Sequence, residues 1–121
     1  MNRNDFNKII ESTFQEILKL NATKGEEYSG NIDALANFKR NAERMGLDPM
    51  QVWYVYTAKH FDSISTFIQD IAKGKVREYS EPITGRADDL IMYFIIFKAL
   101  YQERINESGG HVESQDANTQ V

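Results

Sequence analysis

Apolar side chains recur at intervals of three and four residues along most of the chain, the spacing that lines one face of an α-helix. The first such stretch predicts a helix over about residues 5–22, with Asn4 or Asp5 in position to cap its start. A second, shorter helix begins near Leu35 and ends at Gly46, which suits a left-handed cap because it lacks a Cβ.

Two longer helices are predicted in the second half of the chain. Asp48 is a capping residue followed by a proline at the first helical position, and the apolar period continues to Gly74. After a polar linker, Pro82 restarts a helix that runs to about residue 105. The middle of this helix, residues 90–97, is apolar on all sides, so its own bundle or another subunit must cover it on more than one face.

These four helical stretches predict an all-α fold, a four-helix bundle. Neither a strand-like alternation nor an internal repeat appears in the sequence. We expect residues 1–106 to form one helical domain. Residues 107–121 are polar and aperiodic, and ordering them would cost entropy with little burial in return, so we predict a disordered tail there.

Composition excludes several classes of protein. The 121 residues include no cysteine, which rules out disulfides, thiolate metal sites and a cysteine nucleophile and indicates an intracellular setting. We expect no export signal and no membrane span, because the longest apolar run is far short of the roughly 20 residues that a spanning helix needs. With a formal net charge of −4 and no dense run of Lys and Arg, binding to polymeric nucleic acid is not expected.

Carboxylates are the main candidates for chemistry, because the sequence contains neither a nucleophile elbow nor a phosphate-binding glycine loop. Acidic or polar groups interrupt apolar helical surroundings in three places: Glu26, Glu27 and Tyr28 after the first helix, Lys59 and His60 in the third, and Asp88 and Asp89 in the fourth.

Each of these groups also has an ordinary structural interpretation. Glu26 and Glu27 suit solvated charges at a helix end, and His60 suits a hydrogen-bonded core residue. Arg86 and Asp89 are three residues apart and would form an intrahelical ion pair worth roughly 0.2–0.5 kcal/mol. Against that, Asp89 precedes the most apolar part of the chain, where a carboxylate needs a cation, a metal or several donors to stay ionised.

Four short segments follow one another in an order that is typical of a known family. They are Lys24-Gly25-Glu26-Glu27-Tyr28, then Asp33-Ala34-Leu35-Ala36-Asn37-Phe38, then Lys59-His60 with Ser63-Ile64, and finally Glu81 with Ile83, Arg86, Asp89 and Tyr93. On a helical pattern they resemble the all-α nucleoside triphosphate pyrophosphohydrolase superfamily of MazG type, and most of all its phage-borne branch of nucleotide-modification-associated proteins. The resemblance covers most of residues 5–105.

The resemblance implies that acidic residues on two helices hold Mg²⁺ against the phosphates of a nucleoside triphosphate while water attacks and pyrophosphate leaves. Oxygen ligands suit this hard cation. By position, Glu27 and Asp89 would be the catalytic and metal-binding carboxylates, with Glu26 and Asp88 as further candidate ligands. The implied ligand-binding residues are Lys24, Tyr28, Asn37, Lys59 or His60, Arg86 and Tyr93. The family also implies a homo-oligomer, a dimer or tetramer.

One position departs from the family pattern. The usual Glu-x-x-Asp of the last metal-binding helix becomes Arg86-x-x-Asp89, so a cation replaces one expected carboxylate. Asp88 or Glu81 would have to compensate, although Glu81 lies five residues before Arg86 and turns to another side of the helix. Arginine can instead grip a phosphate with two hydrogen bonds and no metal.

Three functions therefore stay open. The first is a metal-dependent nucleotide pyrophosphohydrolase. The second is a non-catalytic phage sponge that sequesters a signalling nucleotide, of the cyclic dinucleotide or cyclic ADP-ribose type, and so blocks host immunity. The third is a helical interaction protein that binds a partner through an apolar surface of the fourth helix. The expected location is cytoplasmic, in the host cell if a phage encodes the chain.

Overall fold

Four α-helices make up most of the computed structural model, which describes residues 1–25, 27 and 33–109. The helices are α1 (Arg3–Leu20), α2 (Ala36–Met45), α3 (Pro49–Ala72) and α4 (Ile83–Glu107), and a π-helical turn, Asn21–Gly25, extends α1. Within those residues there is no strand. The predicted all-α fold is confirmed.

The helix ends follow from short-range hydrogen bonds. Asp48 caps α3 and Gly46 ends α2 in the left-handed region with φ of 67°, both as the sequence predicts. Gln51 completes a reciprocal capping box with Asp48, which was not predicted. The cap of α1 differs from the prediction. Asn2, and neither Asn4 nor Asp5, caps this helix, because its side-chain oxygen accepts the Asp5 N–H at 2.8 Å and leaves Asp5 in the first turn.

The core lies where α2, α3 and α4 meet. α4 packs against both α1 and α3, and α2 packs against α3. The buried apolar residues at the centre are Leu35, Phe38, Ala42, Val52 and Leu100. The Trp53 indole N–H donates to the Tyr93 carbonyl at 2.5 Å, which fixes α3 against α4. The contacts of Trp53 with Tyr93 and of His60 with Asp89 show that α3 and α4 run antiparallel.

Ion pairs tie the helices together away from this centre. The Lys39 ammonium lies 2.7 Å from Asp33 and 2.5 Å from Glu103, and Arg104 pairs with Asp48. Hydrogen bonds to Asp33 and then to Glu103 raise the pKa of Lys39 above its ordinary value. The same Lys39 hydrogen bond, followed by the one from the Leu35 N–H, lowers the pKa of Asp33. These pairs join the end of α4 to the loop before α2 and to the start of α3.

A large apolar surface stays uncovered in the single chain. Among the helices that the structure describes, α1 packs only against α4. The exposed apolar residues of α1 are Phe6, Ile9, Ile10, Phe14 and Leu18, and those of α4 are Ile91, Phe94, Ile95 and Phe97. Together these side chains are called the α1–α4 apolar surface below. The apolar middle of α4 is therefore covered only in part by its own chain.

Two further predictions concern the ends of the fold. α4 ends at Glu107, one residue beyond the expected limit of the helical domain, and Ser108 caps it. Residues 110–121, which make up most of the predicted disordered tail, lie outside the described residues. The search for membrane spans, made over the described part of the chain, found no helix with the length and apolarity to cross a bilayer.

Candidate functional site

A cleft of about 480 Å³ opens beside α4, where residues between 86 and 99 line it. Its polar lining consists of Asn21, Lys24, Asn37, His60, Glu81, Arg86 and Asp89, and its apolar and aromatic lining includes Leu35, Phe38, Met92, Tyr93, Ile95 and Ile96. The volume lies in the range of about 300–1,000 Å³ that is typical of small-molecule sites. Each of the four sequence segments quoted above contributes at least one lining residue.

α4 supplies the longest wall of the cleft. Arg86, Asp89, Tyr93 and Ile96 are spaced by three, four and three residues, so they share one helical face. Asp88 is turned by about 100° from Asp89 and lines only an adjoining recess of about 190 Å³. Asp89 also lines this recess, so the helical period brings Asp89 but not Asp88 to the cleft.

His60 of α3 faces Asp89 across the cleft. The Nδ1 atom of His60 lies 3.9 Å from Oδ2 of Asp89, and their side chains are only 23% and 18% exposed. The imidazole also contacts the Tyr93 ring, with 4.9 Å between ring centroids. Nδ1 is buried and makes no hydrogen bond with any residue that the structure describes. His60 thus carries a ring nitrogen whose hydrogen-bonding capacity the described residues leave unused.

Two cations at the cleft have no carboxylate partner within residues 1–25, 27 and 33–109. Arg86 is half-buried, and neither it nor Lys24 in the π-helical turn forms an ion pair there. The ordinary Arg86–Asp89 ion pair is therefore not formed, although the spacing on α4 would allow it. The two unpaired positive charges suit an anion in the cleft.

Acidic groups dominate the adjoining recess. Glu16, Glu81, Asp88 and Asp89 line it together with Lys24. Burial raises the pKa of Asp88, and the neighbouring Glu16 and Asp89 carboxylates raise it further. Over the residues with described positions, no group of three or more His, Asp or Glu side chains is arranged to hold a metal ion.

Other residues that the sequence singles out lie elsewhere. Glu27 is exposed and lines neither the cleft nor the recess. Lys59 is also exposed and off the cleft, because one residue of α-helix turns it about 100° away from His60. Of the two alternatives at this position, His60 is the one that lines the cleft. Glu26 and Tyr28 lie outside the described residues.

A second polar cluster was not predicted from the sequence. Asp70, near the end of α3, is 5% exposed and accepts hydrogen bonds from Arg77 and Tyr79. The Tyr79 hydroxyl lowers the pKa of Asp70, and the same hydrogen bond raises the pKa of Tyr79. The sequence feature that could have indicated this cluster is an aspartate between Phe67 and Ile71, within the apolar pattern of α3. The polar cleft residue Asn21, in the turn after α1, was also missed.

Comparison with known proteins adds no relative. No family model, no curated protein and no solved structure matches the chain. The resemblance to the MazG-type family therefore stays a prediction that rests on the four sequence segments.

Proposed function

We propose that the protein binds a phosphate-bearing nucleotide in the cleft beside α4. The observation that carries this proposal is the pair of cations, Arg86 and Lys24, at a cleft whose other walls are mainly aromatic, apolar and amide groups, with His60 and the carboxylates of Glu81 and Asp89 also in its lining. Neither cation has a carboxylate partner in the described part of the chain, so an incoming phosphate would not have to displace one.

Arg86 is the better suited of the two to hold a phosphate. Its planar guanidinium presents paired N–H donors that match two phosphate oxygens, whereas Lys24 offers a flexible point charge. Arg86 is half-buried, and a charge-assisted hydrogen bond in such surroundings contributes about 1.5–3 kcal/mol. The phosphate end of the ligand would therefore lie at the first turns of α4.

The base and sugar would occupy the other end of the cleft. Asn41 donates to the Asn37 side-chain oxygen at 3.2 Å, which orients an amide able to recognise a base edge. The half-buried Tyr93 ring and the apolar side chains of Met92 and Ile96 give a flat, largely apolar wall for a base. These features favour a nucleotide over inorganic phosphate.

Retention without hydrolysis is the form of this function that we favour. Arg86 stands where the family pattern has a metal-binding glutamate, and Glu27 is exposed away from the cleft. A sponge for a signalling nucleotide must bind its ligand tightly and must not cleave it. The arginine in place of a metal ligand and the position of Glu27 away from the cleft both fit a site that does not cleave.

The alternative is hydrolysis, and the position of Asp89 in the cleft beside His60 favours it. Asp89 would then contribute a carboxylate to Mg²⁺, which supplies charge neutralisation to the phosphates when it is bound, whereas Glu27 is exposed off the cleft and Asp88 lines only the recess. His60 would hydrogen-bond a phosphate oxygen or a water molecule.

We also propose that a second copy of the chain covers the α1–α4 apolar surface. Ile95 belongs both to that surface and to the lining of the cleft, so a partner seated there would border the ligand. A bundle completed in this way agrees with the oligomer that the family resemblance implies.

Calorimetry on the full chain tests the binding proposal. The panel consists of ATP, GTP, their deoxy forms, cyclic dinucleotides and cyclic ADP-ribose isomers, each with and without Mg²⁺. We expect Arg86→Ala to weaken binding at least tenfold, since the loss of 1.5–3 kcal/mol corresponds to roughly ten- to 150-fold. Lys59→Ala, a matched change of an exposed cation next to His60, should alter affinity less than twofold.

Two results would decide against parts of this proposal. Absence of binding across the panel, or equal losses in the two variants, would remove the nucleotide-binding proposal. Release of pyrophosphate with Mg²⁺ that disappears in Asp89→Asn would replace retention by hydrolysis.

A further inference from the structure

The connection between α3 and α4, residues 73–82, is called the strap here. All of its residues are exposed, and Val76 reaches 95%. An exposed segment has few apolar contacts to hold it against the helices, so it opens at low free-energy cost unless specific bonds hold it. The bonds that hold the strap are therefore important for whatever the strap positions.

The buried Asp70 carboxylate is the main anchor of the strap. Its Oδ2 accepts the Tyr79 hydroxyl at 2.6 Å and lies 3.0 Å from Nε of Arg77, while its Oδ1 accepts a second guanidinium N–H at 3.3 Å. Charge-assisted pairs of this geometry are stronger than neutral hydrogen bonds. The Tyr79 ring also packs on Phe67, with centroids 5.4 Å apart. One carboxylate thus holds the strap at two points, Arg77 and Tyr79.

The far end of the strap forms part of the cleft. Glu81, two residues after Tyr79, lines both the cleft and the acidic recess. Pro82 then precedes α4 at its cap position, and its carbonyl accepts the N–H groups of Gly85 at 3.1 Å and of Arg86 at 3.3 Å. If Tyr79 moved away from Asp70, Glu81 and the first turn of α4 would therefore move with it.

The first turn of α4 has no side-chain cap among the residues that the structure describes. Pro82 stands at the cap position and offers no side-chain acceptor, in contrast to Asn2 and Asp48, which cap α1 and α3. An uncapped helix start frays readily. The first turn of α4 carries Arg86, so the position of this arginine depends on how firmly the strap is held.

We propose that Asp70 is a positioning residue for the cleft: by holding Arg77 and Tyr79 it keeps the strap seated and fixes Glu81 and Arg86. Asp70 itself does not line the cleft. The inference rests on the proposed nucleotide binding for its effect on affinity, but its effect on the strap is independent of any ligand. Apparent affinity falls in proportion to the fraction of molecules in the binding-competent state.

Amide hydrogen exchange on the ligand-free full chain tests the positioning role. We expect Asp70→Asn to accelerate exchange of the Gly85 and Arg86 amides about tenfold while core amides such as those of Val52 and Leu100 keep their rates. Tyr79→Phe, which keeps the ring and removes only the hydroxyl, should give a smaller acceleration at the same amides. Asp62→Asn, an exposed aspartate earlier on α3, is the matched control and should change neither set.

Calorimetry with ATP adds the functional measurement. Asp70→Asn should weaken ATP binding roughly three- to tenfold. Unchanged exchange at Gly85 and Arg86 in both strap variants would overturn the positioning role. Faster exchange at those amides together with unchanged ATP affinity would also overturn it, because the strap would then move without affecting the cleft. If the exchange changes appeared but wild-type protein did not bind ATP, Asp70 would still be the anchor of the strap. The proposal that would then fail is ATP binding in the cleft.

Discussion

Charged residues of this protein fall into two groups that differ in their partners. Near the end of α4, Lys39 and Arg104 each have a carboxylate partner. At the cleft, Arg86 has no such partner in the described part of the chain, and the buried Nδ1 of His60 makes no hydrogen bond there. Paired charges contribute to stability, whereas unpaired half-buried groups cost stability and are typical of binding sites. This contrast supports a ligand at the cleft and a structural role at the opposite end.

The paired group allows a prediction about pH. Lys39 and the Leu35 N–H lower the pKa of Asp33 below its unfolded value, so folding is stabilised by its ionised form. That contribution is fully present above the unfolded pKa of about 3.9 and is lost as the pH falls through the lower folded pKa. Asp33→Asn should therefore reduce the free energy of unfolding by about 0.5–1 kcal/mol at pH 7.

The measurement is urea unfolding followed by circular dichroism at pH 7, 5 and 3. The difference between wild type and Asp33→Asn should persist at pH 5 and shrink at pH 3. Asp62→Asn, an exposed aspartate without a described ion pair, should show no comparable pH dependence. A difference that is as large at pH 3 as at pH 7 would contradict the assignment of this stability to the Asp33 carboxylate.

At the scale of the elements, substitution of two glycines by alanine should change the stability of the protein in opposite directions, because their backbone conformations differ. Gly46 ends α2 with φ of 67°, and a Cβ there would meet no atom within 4 Å. The cost of Gly46→Ala is therefore backbone strain alone, roughly 1–2 kcal/mol. Gly85 lies within α4 with equally open surroundings, so Gly85→Ala should stabilise the protein by about 0.5–1 kcal/mol. Thermal unfolding of the two variants under one condition checks this pair, and shifts of the same sign would contradict it.

The helix boundaries were predictable because their causes are local. Asp48 caps α3 and Gly46 ends α2 through bonds that span no more than five residues. The sequence does not reveal that Asn2 caps α1, because Asn2, Asn4 and Asp5 are all acceptable capping residues. Only the folded geometry selects one of them. Local sequence therefore determines where a helix can end more reliably than which of several caps is used.

The cleft depends on longer-range relations, and sequence reasoning reached it only in part. The spacing of Arg86, Asp89 and Tyr93 places them on one helical face, which the sequence alone could establish. Whether Lys59 or His60 faces Asp89 depends on how α3 is rotated against α4, and Trp53 sets that rotation through its bond to Tyr93. The Asp70 anchor was missed because its partners come from the polar strap, which shows no periodicity.

At the scale of the whole molecule, the uncovered apolar surface is the main unexplained feature of a single chain. α1 contributes Phe14 at 58% and Leu18 at 61% exposure, and α4 contributes Phe94 at 50%. Scattered exposed apolar residues are normal, but large exposed apolar side chains concentrated on two helices that pack against each other are typical of an interface. Because Ile95 joins this patch to the cleft, assembly and ligand binding are expected to influence each other.

The proposed second copy on this surface predicts an assembly of at least two 14.0 kDa chains in solution, and the family resemblance implies a dimer or tetramer. Phe14→Glu places a charge where the partner would bury an aromatic ring, and the desolvation cost should shift the assembly toward monomer. Tyr54→Glu is the matched control, since Tyr54 is 70% exposed and belongs to α3 rather than to α1 or α4. Size-exclusion chromatography with light scattering over a hundredfold range of concentration measures both variants. A wild-type mass of one chain at every concentration would contradict the assembly, and equal effects of the two substitutions would move the interface away from α1.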